Sequence, residues 1–256
     1  FFFKQKTAYE ISTRDWSSDV CSSDLNMTEK GNETYLGLTF DDFKLNPNRR
    51  YASTQKDKLD IAHQHITLNH TITLSKNSNL SSTAYLTYTY RDWGRVNSID
   101  GQSVTTVLAS PDQYPNSFGI MRGELNGPIV FQNAERSFYG KGVQSTFQHK
   151  LTKTKIKQLI QLGVRIHTDK ADRFATQSAF VMSSGRLVQT AAGIRGNSEN
   201  QIRLANSLAV FTQDDIKWGK LTISPGLRYE KTLLSLDNFG TMDSERLGAA
   251  LKTASN

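Results

Sequence analysis

The chain almost lacks cysteine: Cys21 is the single one in 256 residues. One thiol leaves no disulfide framework within the chain, no thiolate metal cluster and, beyond residue 21, no cysteine nucleophile. Long apolar runs are missing too. None approaches the ~18 residues that a membrane-crossing helix requires, so a helical membrane protein is excluded. No Walker or dinucleotide glycine pattern occurs. Ser183-Ser184-Gly185 has no strand–turn–helix setting that would make it a nucleophile elbow. The sequence therefore points to no enzyme and to no cofactor. The formal net charge is +7, but lysine and arginine are spread along the chain. A nucleic-acid-binding helix or arm would gather them in one place, so no nucleic-acid partner is expected.

What is abundant is alternation. Ile66, Leu68, Ile72 and Leu74 share one parity, and His65, Thr67, Asn69, Thr71 and Thr73 share the other. After a polar turn at 76–79 the pattern restarts. Leu80, Ala84, Leu86, Tyr88 and Tyr90 oppose Ser81, Thr83, Tyr85, Thr87, Thr89 and Arg91. Successive side chains on a strand point to opposite faces, so these runs predict a hairpin with one apolar and one polar face. Two more such hairpins are predicted. One turns at Thr152-Lys153-Thr154 between Val143–Leu151 and Ile156–Ile166. The other turns over Gln213–Lys220 between Ile202–Val210 and Leu221–Tyr229.

The connections sort by length. Short turns lie at 76–79, 152–154 and 214–219, and long polar stretches at 95–136 and 168–200 separate the hairpins. Tyr35–Phe40 reads as a further short strand, and 41–60 as a solvated loop. Strands of about ten residues, with short turns at one end and long loops at the other, suit a transmembrane β-barrel better than a sandwich. The mean hydropathy of −0.51 does not argue against this, because only alternate strand residues face lipid. Tyr88, Tyr90, Trp93 and Tyr139 near the loop ends, with Phe211 and Trp218 near a turn, fit interfacial aromatic girdles; ordinary strand propensity would also place them in strands.

Residues 1–25 break from this pattern. The run Asp19–Leu25 back-translates to a nucleotide string that resembles a common sequencing adapter, and the frame extends upstream through Arg14–Ser18. The expectation is that 1–25 derive from adapter and that 26–256 are a barrel fragment. Removing the leader's charge of −1 leaves +8 on the rest.

ETYLGLT at Glu33–Thr39, NPNRRY at Asn46–Tyr51 and VFTQDDIKWGKLTISPGLRYE at Val210–Glu230 resemble the barrel of TonB-dependent outer-membrane receptors. The nearest likeness is to ferric-dicitrate and related siderophore receptors. The resemblance covers most of 33–232. It implies an all-β fold: an open curved antiparallel sheet of about six or seven strands, part of a barrel of ~22 strands. It also implies a Gram-negative outer-membrane location, contact with outer-membrane lipid, and uptake of a ferric chelate. Energy would come from a TonB-type protein acting through a plug domain that this chain does not show. A passive porin-type channel and, less well, a soluble all-β binding protein remain the alternatives.

An anionic chelate calls for guanidinium groups, which meet carboxylates with two parallel hydrogen bonds. Arg91 has lumen-facing parity near the loop end, and Arg122 and Arg136 lie in the first long loop. These three are the ligand-binding candidates; each could instead pair with a neighbouring carboxylate or a plug residue. His63 and His65 share a face, but two histidines without a third ligand do not make a metal site. Arg228 and Glu230 on one face read as a structural ion pair.

Overall fold

In the computed structural model, residues 18–31, 36–152 and 155–255 are described. The strands are β1 (Ser18–Gly31), β2 (Lys58–Ser75), β3 (Ser78–Ile99), β4 (Gln102–Ser103), β5 (Gly127–Leu151), β6 (Ile156–Ser183), β7 (Arg186–Ala191), β8 (Glu199–Trp218), β9 (Leu221–Ile223), β10 (Gly226–Asn238) and β11 (Leu251–Ser255). They form one sheet in the order β1-β2-β3-β5-β6-β8-β10-β11, with β4, β7 and β9 as short arms on β3, β6 and β8. Every pairing is antiparallel. β1 begins inside the segment 1–25 and lies along β2 over its whole length.

The alternating runs form the predicted strands, and the register aligns their apolar parities. Leu68, Ala84, Val143, Ile166 and Leu208 stand side by side across five strands. On this face Ile66, Leu86, Val143, Ile166 and Leu208 are exposed. A soluble sheet would bury such a stripe. The opposite face is lined by Thr, Ser, Asn, Gln and His. It also holds Gly142, which stands between Tyr85 and His167. A Cβ at Gly142 would collide with the Tyr85 hydroxyl.

The turns are tighter than the sequence suggests. β2 and β3 join through Lys76-Asn77 alone, because Ser75 already pairs with Ser78 after a register shift. β8 runs on to Trp218, and Gly219-Lys220 makes the turn, with Gly219 at φ 60. Glycine adopts that left-handed backbone without steric cost. The predicted 152–154 turn lies partly outside the described residues.

At the other end the strands are longer than expected. β5 and β6 span 25 and 28 residues, far beyond the ~10 that cross a bilayer. The stretches 95–136 and 168–200 are therefore not irregular throughout. Most of the second is strand; the first is strand at its two ends and folds into two helices between them. The strand predicted at Tyr35–Phe40 is corrected as well. Tyr35 lies outside the described residues, 36–39 are irregular, and Phe40 opens α1 (Phe40–Leu45), where the Thr39 hydroxyl accepts from the Asp42 N–H. Thr–Phe–Asp–Asp presents an N-cap followed by acidic residues in the first turn, which outweighs the apolar alternation before it. The two helices of the first long stretch are α2 (Val104–Ala109) and α3 (Pro115–Arg122). Tyr114 precedes α3, Pro115 opens it, and Gly123 at φ 81 closes it, as helix ends favour.

The buried core sits at this long-loop end. Ile99, Val107, Met121 and Met182 are fully enclosed, together with Leu36, Tyr51, Ile129, Phe131 and Leu187. A bulge between Val96 and Ser98 brings Ile99 onto the face of Val96, so both strand residues enter this core. The apolar parity of β5 and β6 is thus bare along one stretch and covered by α2, α3 and the 36–57 segment along another.

Candidate functional site

Between the bare stretch and the loop core, the polar face carries a row of arginines. Ile61, Arg91, Arg136, Arg173 and Gln201 align directly across β2, β3, β5, β6 and β8. Adjacent strands lie about 4.8 Å apart, and like charges directly opposite are destabilising. Nothing in strand packing favours three guanidinium groups side by side.

Arg95 and Arg203 share this face, since each stands two residues along its own strand from Trp93 and Gln201 respectively. Glu199 is the carboxylate set among the arginines: it lies 3.1 Å from Arg173, 3.5 Å from Arg136 and 3.7 Å from Arg203. One glutamate shared by three arginines leaves the row strongly positive. Arg91 has no acidic partner among the described residues. The Nε atoms of Arg91, Arg136 and Arg173 are buried without a hydrogen-bond partner there. Buried donors left open carry a desolvation cost that an anion or a facing residue would relieve.

Trp93 sits within this row. Its ring lies 5.5 Å from the Arg91 guanidinium and 4.3 Å from that of Arg95. Cation–π contact steadies both groups and keeps their planes presented. Buried Ala134 and Ala175 follow Trp93 across the ladder, and their small side chains leave the space that the long neighbours occupy. Trp93 therefore belongs to the polar face and not to an interfacial girdle. Phe211 also turns to the polar face, where its ring covers Gly163. Tyr88 and Tyr139, with centroids 4.8 Å apart, are on the apolar face at the edge of the bare stretch, and Trp218 is exposed at the turn end.

Arg91 and Arg136, both sequence candidates, thus meet in one row, and Arg173 completes it. Arg122 stands elsewhere. At the end of α3 it bridges Asp42 at 3.4 Å and Glu124 at 3.1 Å. Asp42, buried in the loop cap, also receives Arg49 at 3.0 Å and the Tyr51 hydroxyl at 2.9 Å. Burial and the Asp42 charge push the Tyr51 phenol up, so it remains a donor.

Several other charged groups in the long-loop region are paired. Arg195 donates twice to Glu135, at 3.0 and 2.7 Å, and this carboxylate holds its guanidinium above the usual range. Arg246 donates twice to Asp172 and once to Asn200. Asp243, in the loop before β11, accepts from the N–H groups of Gly248 and Leu247, which hold its carboxyl below the usual range. His63 contacts Thr89 and His65 contacts Thr67; no cluster of metal-ligating side chains occurs among the described residues. Arg228 and Glu230 form the expected ion pair at 2.7 Å.

A family model described as TonB dependent receptor-like, beta-barrel, matches residues 11–254. Among solved structures, the siderophore receptor PiuA from Acinetobacter baumannii is similar at 14% identity and a TM-score of 0.65, covering 93% of this chain and 36% of its own. The ferric citrate transporter FecA, unliganded, matches at 13% identity and 0.58, covering 93% and 32%. The ferric-catecholate import receptor Fiu from K12 E. coli matches at 11% identity and 0.58, covering 93% and 36%. The chain spans about a third of the length of these receptors. No curated protein sequence matches it. In such barrels the apolar face meets lipid, the polar face lines the lumen, and long loops are extracellular. The bare stripe, the polar face and the folded loop cap are the corresponding parts of this sheet, and the chain belongs to the TonB-dependent receptor-like β-barrel family of the Gram-negative outer membrane.

Proposed function

We propose that the whole receptor imports a ferric chelate bearing carboxylates, a siderophore or ferric citrate, energised by a TonB-type protein through a plug domain. The row Arg91–Arg136–Arg173, with its single shared glutamate, carries this reading. Guanidinium groups at strand spacing present parallel donor pairs to an anion with several carboxylates. Arg91, Arg136 and Arg173 contact the chelate; Arg95 and Arg203 add to the field. Arg122, committed to Asp42 and Glu124, holds the extracellular cap together. The three solved neighbours, named for siderophore, ferric citrate and ferric catecholate, are the reason for choosing a ferric chelate over other anions.

Uptake of radiolabelled ferric citrate by cells carrying the intact receptor tests the proposal. A charged hydrogen bond contributes ~1.5–3 kcal/mol, so Arg136→Ala with Arg173→Ala should lower uptake at limiting chelate by at least about tenfold at equal surface abundance. Uptake that continues after the TonB-type partner is deleted would identify a passive channel instead.

A further inference from the structure

On the lipid-facing side, the apolar stripe ends in two lysines. Val143 is followed toward the loops by Lys141, and Ile166 by Thr168 and then Lys170. The register sets Lys141 between Leu86 and Thr168, and Lys170 between Tyr139 and Leu204. Lys170 is therefore the diagonal neighbour of Lys141 on the same face, about 7–8 Å away at the backbone. A groove of about 370 Å³ opens between them, lined by Leu86, Tyr139, Lys141, Thr168, Lys170 and Leu204.

Neither ammonium forms an ion pair among the described residues. The Lys170 ammonium lies over the Tyr139 ring, 5.7 Å from its centroid. Two acids on this face are engaged elsewhere. Asp172, one step nearer the loops, is held by two Arg246 nitrogens, and Glu135 by two Arg195 nitrogens. The Tyr88–Tyr139 pair marks this level as the extracellular interface of the bilayer. Two unneutralised cations at that level, over a groove floored by Leu86 and Leu204, match an anionic headgroup above acyl chains.

We propose that Lys141 and Lys170 bind the phosphorylated headgroup of an outer-leaflet lipid whose acyl chains run along the Leu86–Val143–Ile166 stripe. The lysine stems follow the apolar floor while their ammonium groups reach the phosphate. The lipid then seals the outer surface of β3, β5 and β6 directly beneath the loop cap.

Native mass spectrometry of the intact receptor, released from nanodiscs containing lipid A and phosphatidylcholine, tests this. The wild-type protein should retain lipid A in preference to phosphatidylcholine. The Lys141→Ala/Lys170→Ala variant should retain it roughly 30-fold less, corresponding to ~1 kcal/mol for each lysine near the surface. Lys56→Ala, in the extracellular segment, should behave as wild type. Equal retention of lipid A by wild type and double variant overturns the site. If the double variant does not assemble, the wild-type preference decides: no preference for lipid A overturns the proposal. Complete displacement of lipid A by millimolar inorganic phosphate also overturns it, since the site would then hold the ion and not the lipid.

Discussion

Arg91 of β3 and Arg136 of β5 stand directly opposite one another in the ladder, and Arg173 of β6 extends the pair to a third strand. Glu199 partners the second and third of these but not the first. Arg91 is thus the most available cation of the row, with Trp93 as its neighbour.

Glu199→Gln separates the stabilising role of this carboxylate from the proposed anion site. Removing one partner of a largely buried charge network costs ~3–5 kcal/mol at full burial; Glu199 retains 16% side-chain exposure, so about half that is expected. Thermal unfolding of the intact receptor should show a lower Tm, and citrate should restore more of the loss in the variant than it adds to wild type. Equal citrate effects in both would argue against an anion at the row.

Trp93→Ala should weaken chelate binding several-fold, because cation–π contacts of ~0.5–1 kcal/mol each steady Arg91 and Arg95. Trp93→Phe should retain most of the affinity. Equilibrium titration of the intact receptor with ferric citrate reads both.

Asp42→Asn leaves Arg49 and Arg122 without their shared carboxylate. The cap should loosen by ~3 kcal/mol. Hydrogen exchange should speed up in α1, α3 and the 49–57 segment, while the central amides of β5 and β6 keep their protection. Uniform acceleration across the sheet would mean that the cap and barrel unfold together.

The Asp243 loop should respond to acid in one direction. Its folded pKa lies below the ordinary carboxylate value of ~3.9. Its contribution to folding is therefore complete above that value and lost as pH falls through the lower, folded pKa. Protection of the Leu247 and Gly248 amides, relative to their intrinsic exchange rates, should fall only in that acid window. Asp243→Asn should remove the pH dependence.

Gly142→Val should block barrel assembly through its collision with Tyr85, or cost ~1–3 kcal/mol if that ring can move aside. The loss of heat-modifiable mobility in gels would report failed assembly, and Tyr85→Ala in the same chain should restore it only in part, because the Ile166 carbonyl oxygen would still lie 2.8 Å from the new Cβ.

Legibility in the sequence followed the solvent. Where one face meets lipid and the other the lumen, apolar and polar residues alternate, and the hairpins around Ile66–Leu86, Val143–Ile166 and Leu208–Leu221 could be read residue by residue. Above the membrane both faces meet water or folded loops. Alternation fades there, so the strand residues 168–183 read as polar loop, and Arg173 was hidden among them. Trp93 and Phe211 were visible as aromatics, but the face they occupy depends on their parity relative to partners in other strands. The signal that would have found Arg173 is its pairing with Arg136, which no local pattern contains.

The sequence by itself determined the strand periodicity, the lipid-facing stripe and the segregation of short turns from long loops, because these depend only on near neighbours and on the two-residue repeat of an extended chain. Tertiary structure alone decided which arginines form the row, which aromatics face inward, and that the extracellular segments share a buried core. Those outcomes depend on register between strands distant in the chain, where a shift of one residue would turn every side chain to the other face.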